Sequence, residues 1–294
     1  MESGIVAAPA VAIHGGAGAL TPDLEEHAEE IREFLSGVLE CARAMLEQGE
    51  DAVAVSVGAV STMESFELFN AGYGATLCSD GTVELSAAVM RGSDRAAGAV
   101  AGVRRAEHPI QAAASLLEGR EVLLIGEAAE RQGAAAGVEL RPNDFFITPR
   151  QLARLSGDAD PSRGTVGAVC LDRDGTLAAA TSTGGVRGQP PGRVGDSPLI
   201  GAGTWADGSV AISCTGDGEA FIRAGAARYG ASLIGAGASV VSAMDAVLEE
   251  VGALGGRGGL IALGASGAAA MPFTTPVMPR GLWSAGMPAQ VGVT

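Results

Sequence analysis

Gly164-Thr165 brings together the two groups that an N-terminal nucleophile needs. A chain cut between them leaves Thr165 with both a hydroxyl and a free α-amine. That amine has an unperturbed pKa of about 7.7–8.0, so it can act as the base for its own Oγ. No histidine is then required, which suits a chain with only His14, His27 and His108. Gly164, without a Cβ, leaves the scissile carbonyl open and tolerates strained backbone angles. A Gly-Thr pair alone carries little, since Gly81-Thr82, Gly175-Thr176 and Gly203-Thr204 occur too. Position sets Gly164-Thr165 apart: a proline-containing segment ends there and a strand pattern begins.

Three further groups join it. Thr181-Ser182-Thr183 ends the hairpin that Thr165 starts, so an antiparallel return sets Thr183 beside Thr165. Arg193 and Asp196, three residues apart in a Gly-rich turn, offer opposite charges on a short baseline. An amino acid presents a carboxylate and an ammonium in that arrangement, the carboxylate matching the Arg fork. The alternative is a structural Arg–Asp pair. Thr215-Gly216 closes a strand and opens a helix, aiming a hydroxyl and an N–H at developing negative charge; a plain strand-to-helix turn is equally compatible.

The elements that must position these groups follow from periodicity. Val11–Ile13 reads as a buried strand running into His14-Gly15-Gly16, a turn whose glycines need no catalytic role. Thr21-Pro22 starts a helix whose apolar face (Ile31, Phe34, Leu35, Val38, Ala42, Met45, Leu46) runs to Gly49. Glu25, Glu26, Glu29 and Glu30 lie on its solvated face, while Glu64 and Glu67 could pair as acids. A second helix spans Asp51–Met63; strands follow at Thr82–Met90 and Ala97–Val103, and helices at Pro109–Leu117 and Glu127–Ala136. Residues 138–164, with Pro142, Pro149 and Pro161, read as a mobile linker. Beyond it come the hairpin Val166–Leu171/Leu177–Thr181, the strand Ser209–Cys214, helices Gly218–Tyr229 and Val240–Ala253, and a closing hairpin Leu260–Leu263/Ala268–Met271. Helices clustered beside hairpin strands predict stacked sheets flanked by helices in one domain, not βαβ units.

Composition removes other chemistries. Among 294 residues the net charge is −15, which argues against nucleic acid and anionic membranes. All 19 basic residues are Arg, so Schiff-base chemistry, a pyridoxal phosphate anchor and a P-loop lysine are excluded. The scattered histidines argue against a multi-His zinc site, and no G-x-G-x-x-G occurs among 45 Gly. Cys41, Cys78, Cys170 and Cys214 read as free thiols in a reducing compartment. With neither a signal peptide nor a membrane-length apolar run, the expectation is a cytoplasmic protein.

Together, Gly164-TVGAVCLDRDGTLAAATSTGG-Val186, GRVGDSP (192–198), GAGTWAD (201–207) and CTGDGE (214–219) resemble the plant-type asparaginase/isoaspartyl peptidase family, Ntn-hydrolases with a threonine nucleophile. AIHGGAGAL (12–20), FNAGYGA (69–75), AVAGV (residues 99–103) and GGLIAL…MPFTT (258–275) fit as well. The resemblance implies an α+β, four-layer αββα sandwich, cut between Gly164 and Thr165 into an α chain 1–164 and a β chain 165–294 that assemble as a dimer of αβ units. It makes Thr165 the nucleophile, tuned by Thr183, with Arg193 on the substrate α-carboxylate and Asp196 on its α-amine. Thr215 and Gly216 form the oxyanion hole, Gly216 also touching the substrate, and Asn70 assists cleavage. No catalytic cofactor is implied, only a structural sodium ion on backbone carbonyls of Met63, Glu64, Phe66, Phe69, Ala71 and Tyr73. Ser86, Arg91 and Thr274 depart from the family pattern, and bear on substrate preference and maturation rate. The implied reaction is hydrolysis of L-asparagine and β-aspartyl dipeptides, small molecules presenting the same α-carboxylate and α-amine. The rivals are a glycosylasparaginase, which resembles D-T-I-G-M-V and T-S-T-N-G where this chain has GTVGAV and TSTGG, and an uncleaved homologue that only binds an acidic amino acid.

Overall fold

The computed structural model describes residues 4–155 and 164–294. β1 (Gly4–Ile5) and β2 (Ala10–His14) lead into α1 (Pro22–Glu26), α2 (Ala28–Gln48) and α3 (Ala52–Glu64). Then come β3 (Leu85–Arg91), β4 (Ala97–Val103), α4 (Pro109–Ala114), β5 (Leu123–Ile125), α5 (Gly126–Ala135) and α6 (Pro149–Leu155). The segment from Thr165 carries β6 (Val166–Leu171), β7 (Leu177–Thr183), β8 (Thr204–Ala206) and β9 (Val210–Gly216). It continues through α7 (Gly218–Ala224), α8 (Ala226–Gly235), α9 (Val240–Ala253), β10 (Gly258–Gly264), β11 (Ala268–Ala270), β12 (Arg280–Ser284) and β13 (Met287–Gly292).

An eight-stranded sheet, β13-β12-β2-β6-β7-β3-β4-β5, faces a five-stranded one, β1-β11-β10-β9-β8. Alternation along the strands builds the layers. Val166, Ala168 and Cys170 of β6 pack in one core with Leu35, Leu39 and Val60 of α2 and α3. Val169 and Leu171 turn the other way, into a second core with Ile212 and Leu260 of the opposing sheet and Met244 and Val247 of α9. Both faces of each sheet are thus covered, giving the αββα sandwich.

Several boundaries differ from the sequence reading, each for a local reason. Thr21 caps its helix, its Oγ1 accepting from the Leu24 N–H at 3.2 Å, but the helix breaks at His27, where φ is −100° and ψ 10°. α2 ends in a left-handed Gly49. The helix expected over 218–229 is split by Gly225, at φ +57°, into α7 and α8. The largest correction concerns the expected linker. As far as residue 155 it is built into the fold: Phe146 is fully buried, the Asn143 amide donates to the Val83 and Arg104 carbonyls, and Pro149 opens α6. Proline signals a break, yet it also suits the first turn of a helix, where no N–H is needed. Residues 156–163 of that linker lie outside the described residues. The 260–271 hairpin does not close the domain either, because β12 and β13 return to the other sheet and pair β12 with β2. Among the described residues no helix is long and apolar enough to cross a membrane.

Candidate active site

Pairing of β6 with β7 sets Val166 opposite Ser182, so Thr165 lies opposite Thr183 at the open end of the hairpin. Thr165 Oγ1 donates to Thr183 Oγ1 at 3.2 Å, and Thr183 Oγ1 donates onward to the Gly164 carbonyl at 3.1 Å. Asn70 Nδ2 donates to the same carbonyl at 3.0 Å and to Gly185 O at 2.7 Å, while its Oδ1 accepts from the Thr76 N–H. The carbonyl between Gly164 and Thr165 therefore faces two donors beside the buried Thr165 hydroxyl. Close approach of backbone explains two glycines here. A Cβ on Gly16, at φ +104°, would stand 2.7 Å from Gly164 Cα and 3.0 Å from Thr165 N. A Cβ on Gly164 itself would meet the Asn70 Cβ at 3.1 Å. The turn-only reading of His14-Gly15-Gly16 is thus too weak, since Gly16 backs the peptide in question.

Arg193 and Asp196 share a cavity with Thr165, but they do not pair with each other. Arg193 forks onto Glu219 through two 2.9 Å bonds and donates to Gln189 Oε1 at 3.3 Å. Its side chain is 14% exposed against 67% for Glu219. An exposed side-chain carboxylate on a nearly buried guanidinium marks a ready seat for a carboxylate ligand. Burial lifts the Asp196 carboxyl from 3.8 to about 7, against the pull of backbone N–H groups and Arg193, and its Oδ2 has no hydrogen-bond partner among the described residues. A Cβ on Gly218 would lie 3.0 Å from both Arg193 Nη2 and Asp196 Oδ1, so the two charges converge on this glycine. The cavity holding them is about 10 Å³, room for roughly one water molecule. Gly164 forms part of its wall.

Gly216 borders the cavity at φ +142°, and a Cβ there would stand 2.4 Å from Arg257 O, so only glycine fits. Thr215 lies behind it, its Oγ1 accepting from the Ala17 N–H at 3.0 Å and its hydroxyl proton left to donate. A buried polar chain supports these strands between the sheets. His14 Nε2 meets Ser213 Oγ at 2.9 Å, Ser213 meets Thr181 Oγ1 at 2.8 Å, and Thr204 Oγ1 lies 2.7 Å from Thr181 and 2.9 Å from Ser197 O. Burial depresses His14 to about 3, which keeps its imidazole neutral. Of the family departures, Ser86 sits opposite Thr183 and accepts from the Gly102 N–H at 3.3 Å. Arg91 turns outward to Asp94 and Glu118. Thr274 Oγ1 bonds both the N–H and the carbonyl of Gly258, the residue paired with Gly216.

Residues 63–74 fold into a tight loop rich in carbonyl oxygens. A Cβ on Gly72 would meet Glu64 O at 2.3 Å, and one on Gly74 would meet Phe69 O at 2.1 Å and Glu67 O at 2.6 Å. The carbonyls of Phe66 and Ala71 each accept a backbone N–H, while that of Met63 accepts two. Carbonyl oxygens are hard donors, of the kind a small cation such as sodium takes and a soft metal does not. Glu64 and Glu67 do not act as a pair. The Glu64 carboxyl, raised by burial, accepts from Ile110 N at 3.0 Å and lies 3.3 Å from His108 Nδ1, whereas Glu67 lends its carbonyl to Arg150. Among the described residues no group of three His, Cys, Asp or Glu side chains could hold a metal.

Asn70, named beforehand only through the family resemblance, reaches Gly164 across 94 positions. Glu219 reaches Arg193 across 26, with no local pattern to announce it. The GDGE segment was the nearest pointer to Glu219.

A sequence profile described as asparaginase matches residues 7–162 and 151–293. The isoaspartyl peptidases of Salmonella typhimurium and Escherichia coli are 44% and 45% identical, each alignment covering 96% of this chain, with 97% and 95% of the relative. An isoaspartyl peptidase/L-asparaginase of Bos taurus is 36% identical over 94% of this chain and 92% of its own. Such identity along nearly the whole length, on the αββα sandwich described above, places this chain in the asparaginase family.

Proposed function

We propose that this chain is an amidohydrolase of L-asparagine and β-aspartyl dipeptides, activated by cleavage between Gly164 and Thr165. One observation carries the reading: the Thr165–Thr183–Gly164 hydroxyl chain opens on the cavity where Arg193 and Asp196 converge. In maturation Thr165 Oγ attacks the Gly164 carbonyl carbon while Asn70 and Thr183 hold its oxygen. The C–N bond breaks, the Thr165 nitrogen takes the proton, and water hydrolyses the resulting Gly164 ester. Gly164 then carries a carboxylate and Thr165 a free α-amine. A cavity of about 10 Å³ has no space for an amino acid, so the uncut chain is a zymogen.

In turnover Arg193 exchanges Glu219 for the substrate α-carboxylate, and Asp196 accepts its ammonium. The Thr165 amine takes the Oγ proton as Oγ attacks the side-chain amide carbon. Thr215 and the Gly216 N–H face the oxyanion, each such donor being worth about 3–4 kcal/mol. The amine leaves with that proton, and water hydrolyses the β-aspartyl ester. The backbone carbonyls of Met63, Glu64, Phe66, Phe69, Ala71 and Tyr73 would hold a structural sodium ion, and no catalytic cofactor takes part. Cleaved units associate as a dimer of αβ pairs. The absence of any disulfide among four free cysteines supports a cytoplasmic setting. Intact mass under denaturing conditions, followed by ammonia release from asparagine, tests the reading. Two fragments, the second beginning at Thr165, with asparagine turned over, support it; a chain that stays whole overturns it.

A further inference from the structure

The Arg193 guanidinium uses two different edges. Nε and Nη2 fork onto the exposed Glu219 carboxylate at 2.9 Å each. Nη1 turns the other way and donates to Gln189 Oε1 at 3.3 Å, four positions back along the chain. Gln189 is 6% exposed and stands behind the small cavity without lining it. Its amide is engaged on both ends. Oε1 also accepts from the Val186 N–H at 2.9 Å, and Nε2 donates to the buried Cys78 Sγ at 3.8 Å. Its backbone carbonyl accepts from the Ser79 N–H at 2.9 Å. The side chain lies so close over Gly185, at φ +81°, that a Cβ there would collide with Oε1. Gly185 in turn donates its N–H to Thr183 Oγ1 at 3.0 Å and accepts from Asn70 Nδ2. One buried amide therefore touches both the backbone that holds Thr183 and the guanidinium of Arg193.

A long guanidinium side chain loses rotamer freedom when it grips a ligand, and a partner that holds it beforehand lowers that cost. An acceptor on Nη1 does so while leaving the Nε/Nη2 edge, whose fork matches a carboxylate, to the ligand. We propose that Gln189 is the positioning residue of the carboxylate anchor, keeping Arg193 aimed into the cavity beside Thr183 when the substrate α-carboxylate displaces Glu219. This role rests on the amidohydrolase reading and deepens it. Neutrality is part of the role. The Gln189 oxygen orients the guanidinium without a negative charge to rival the substrate, whereas a carboxylate in its place would contest the same cation.

The test measures asparagine kinetics on fully cleaved protein. The α-carboxylate does not react, so its anchor acts alike in the ground and transition states, and a misplaced anchor raises KM while kcat holds. Hydrogen bonds to charged groups are worth about tenfold to a hundredfold, and a long one belongs at the lower end. Gln189→Met, similar in length but without the oxygen, should raise KM about tenfold with kcat within threefold of the parent. Gln189→Glu keeps an oxygen for the Val186 N–H, yet should raise KM at least as much, because its carboxylate contests Arg193. A residue that served only the 186–189 turn would leave the KM of Gln189→Glu at the parent value. Thermal melts check that each variant is folded, and the isosteric Gln189→Glu decides alone if Gln189→Met is not. KM within threefold of the parent in either folded variant overturns the role. If cleaved parent protein releases no ammonia from asparagine, the amidohydrolase reading fails and this role falls with it.

Discussion

Asn70→Ala separates the maturation chemistry from the fold. In the uncut chain the Gly164 oxygen has two donors, Asn70 Nδ2 at 3.0 Å and Thr183 Oγ1 at 3.1 Å. In the proposed cleavage, negative charge develops on that oxygen as Thr165 attacks. Loss of one such donor costs about 2.7–4 kcal/mol, a factor of roughly 10²–10³ in rate. The truncation also strips the Thr76 N–H and the Gly185 carbonyl of a partner. An orphaned buried polar group costs about 1–3 kcal/mol, so the melting temperature should fall by several degrees without loss of a cooperative transition. A second variant controls for this. Asn70→Asp keeps an oxygen for the Thr76 N–H, but turns an acceptor towards Gly164 O, and should cleave at least as slowly. The assay is a time course of intact mass under denaturing conditions, following the fragment 165–294 as it appears. Cleavage by both variants within threefold of the parent rate, with fold retained, would refute the assignment of Asn70 as a donor to the scissile carbonyl.

Four further outcomes follow from the site. Gly16→Ala places a Cβ 2.7 Å from Gly164 Cα at a φ of +104°, and should slow cleavage more than tenfold in the same mass assay; a parental rate would mean the scissile backbone needs no such close approach. Asp196→Ala should abolish asparagine turnover yet mature normally, because Asp196 belongs to the substrate side, and an uncut variant would contradict that division. In the parent, KM for asparagine should climb as pH falls below about 7, where Asp196 takes up a proton and loses its hold on the substrate ammonium. Stability should move the opposite way. An acid whose folded value is raised from 3.8 to about 7 binds its proton more tightly in the native state, so stability declines as pH rises through that window, by up to about 4 kcal/mol. Asp196→Asn removes this decline, and thermal melts of both proteins at pH 5 and pH 8 check the sign.

Parts of the site were legible because they are local. Antiparallel pairing fixes which residues oppose each other across a hairpin, so Thr165 and Thr183 could be set together from spacing alone. Arg193 and Asp196 were legible for a similar reason, three residues apart in one turn, although their convergence on Gly218 rather than on each other was not. The strand alternation in β6 and the caps at Thr21 and Asp51 are equally short-range, and these elements lie where the pattern indicates. Where a residue type has two uses, the reading failed: Pro149 opens a helix instead of breaking one, and Gly16 serves close approach as well as a turn.

The amino-acid sequence by itself set Thr165 beside Thr183 across a hairpin and Arg193 three residues from Asp196, because each depends on spacings shorter than one supersecondary unit, while the reaction class came with the family resemblance. The tertiary structure decided which contacts complete them. Asn70, which the resemblance had already named, arrives from the loop after α3; Glu219 comes from the start of α7, and Arg150 and Arg154 meet Asp23 across 127 and 131 positions. It also decided that Gly164 lines both a small cavity and a much larger one. Such contacts depend on how two sheets stack and where their connecting loops return. That is set by the summed burial of many side chains, so no short stretch of sequence records it.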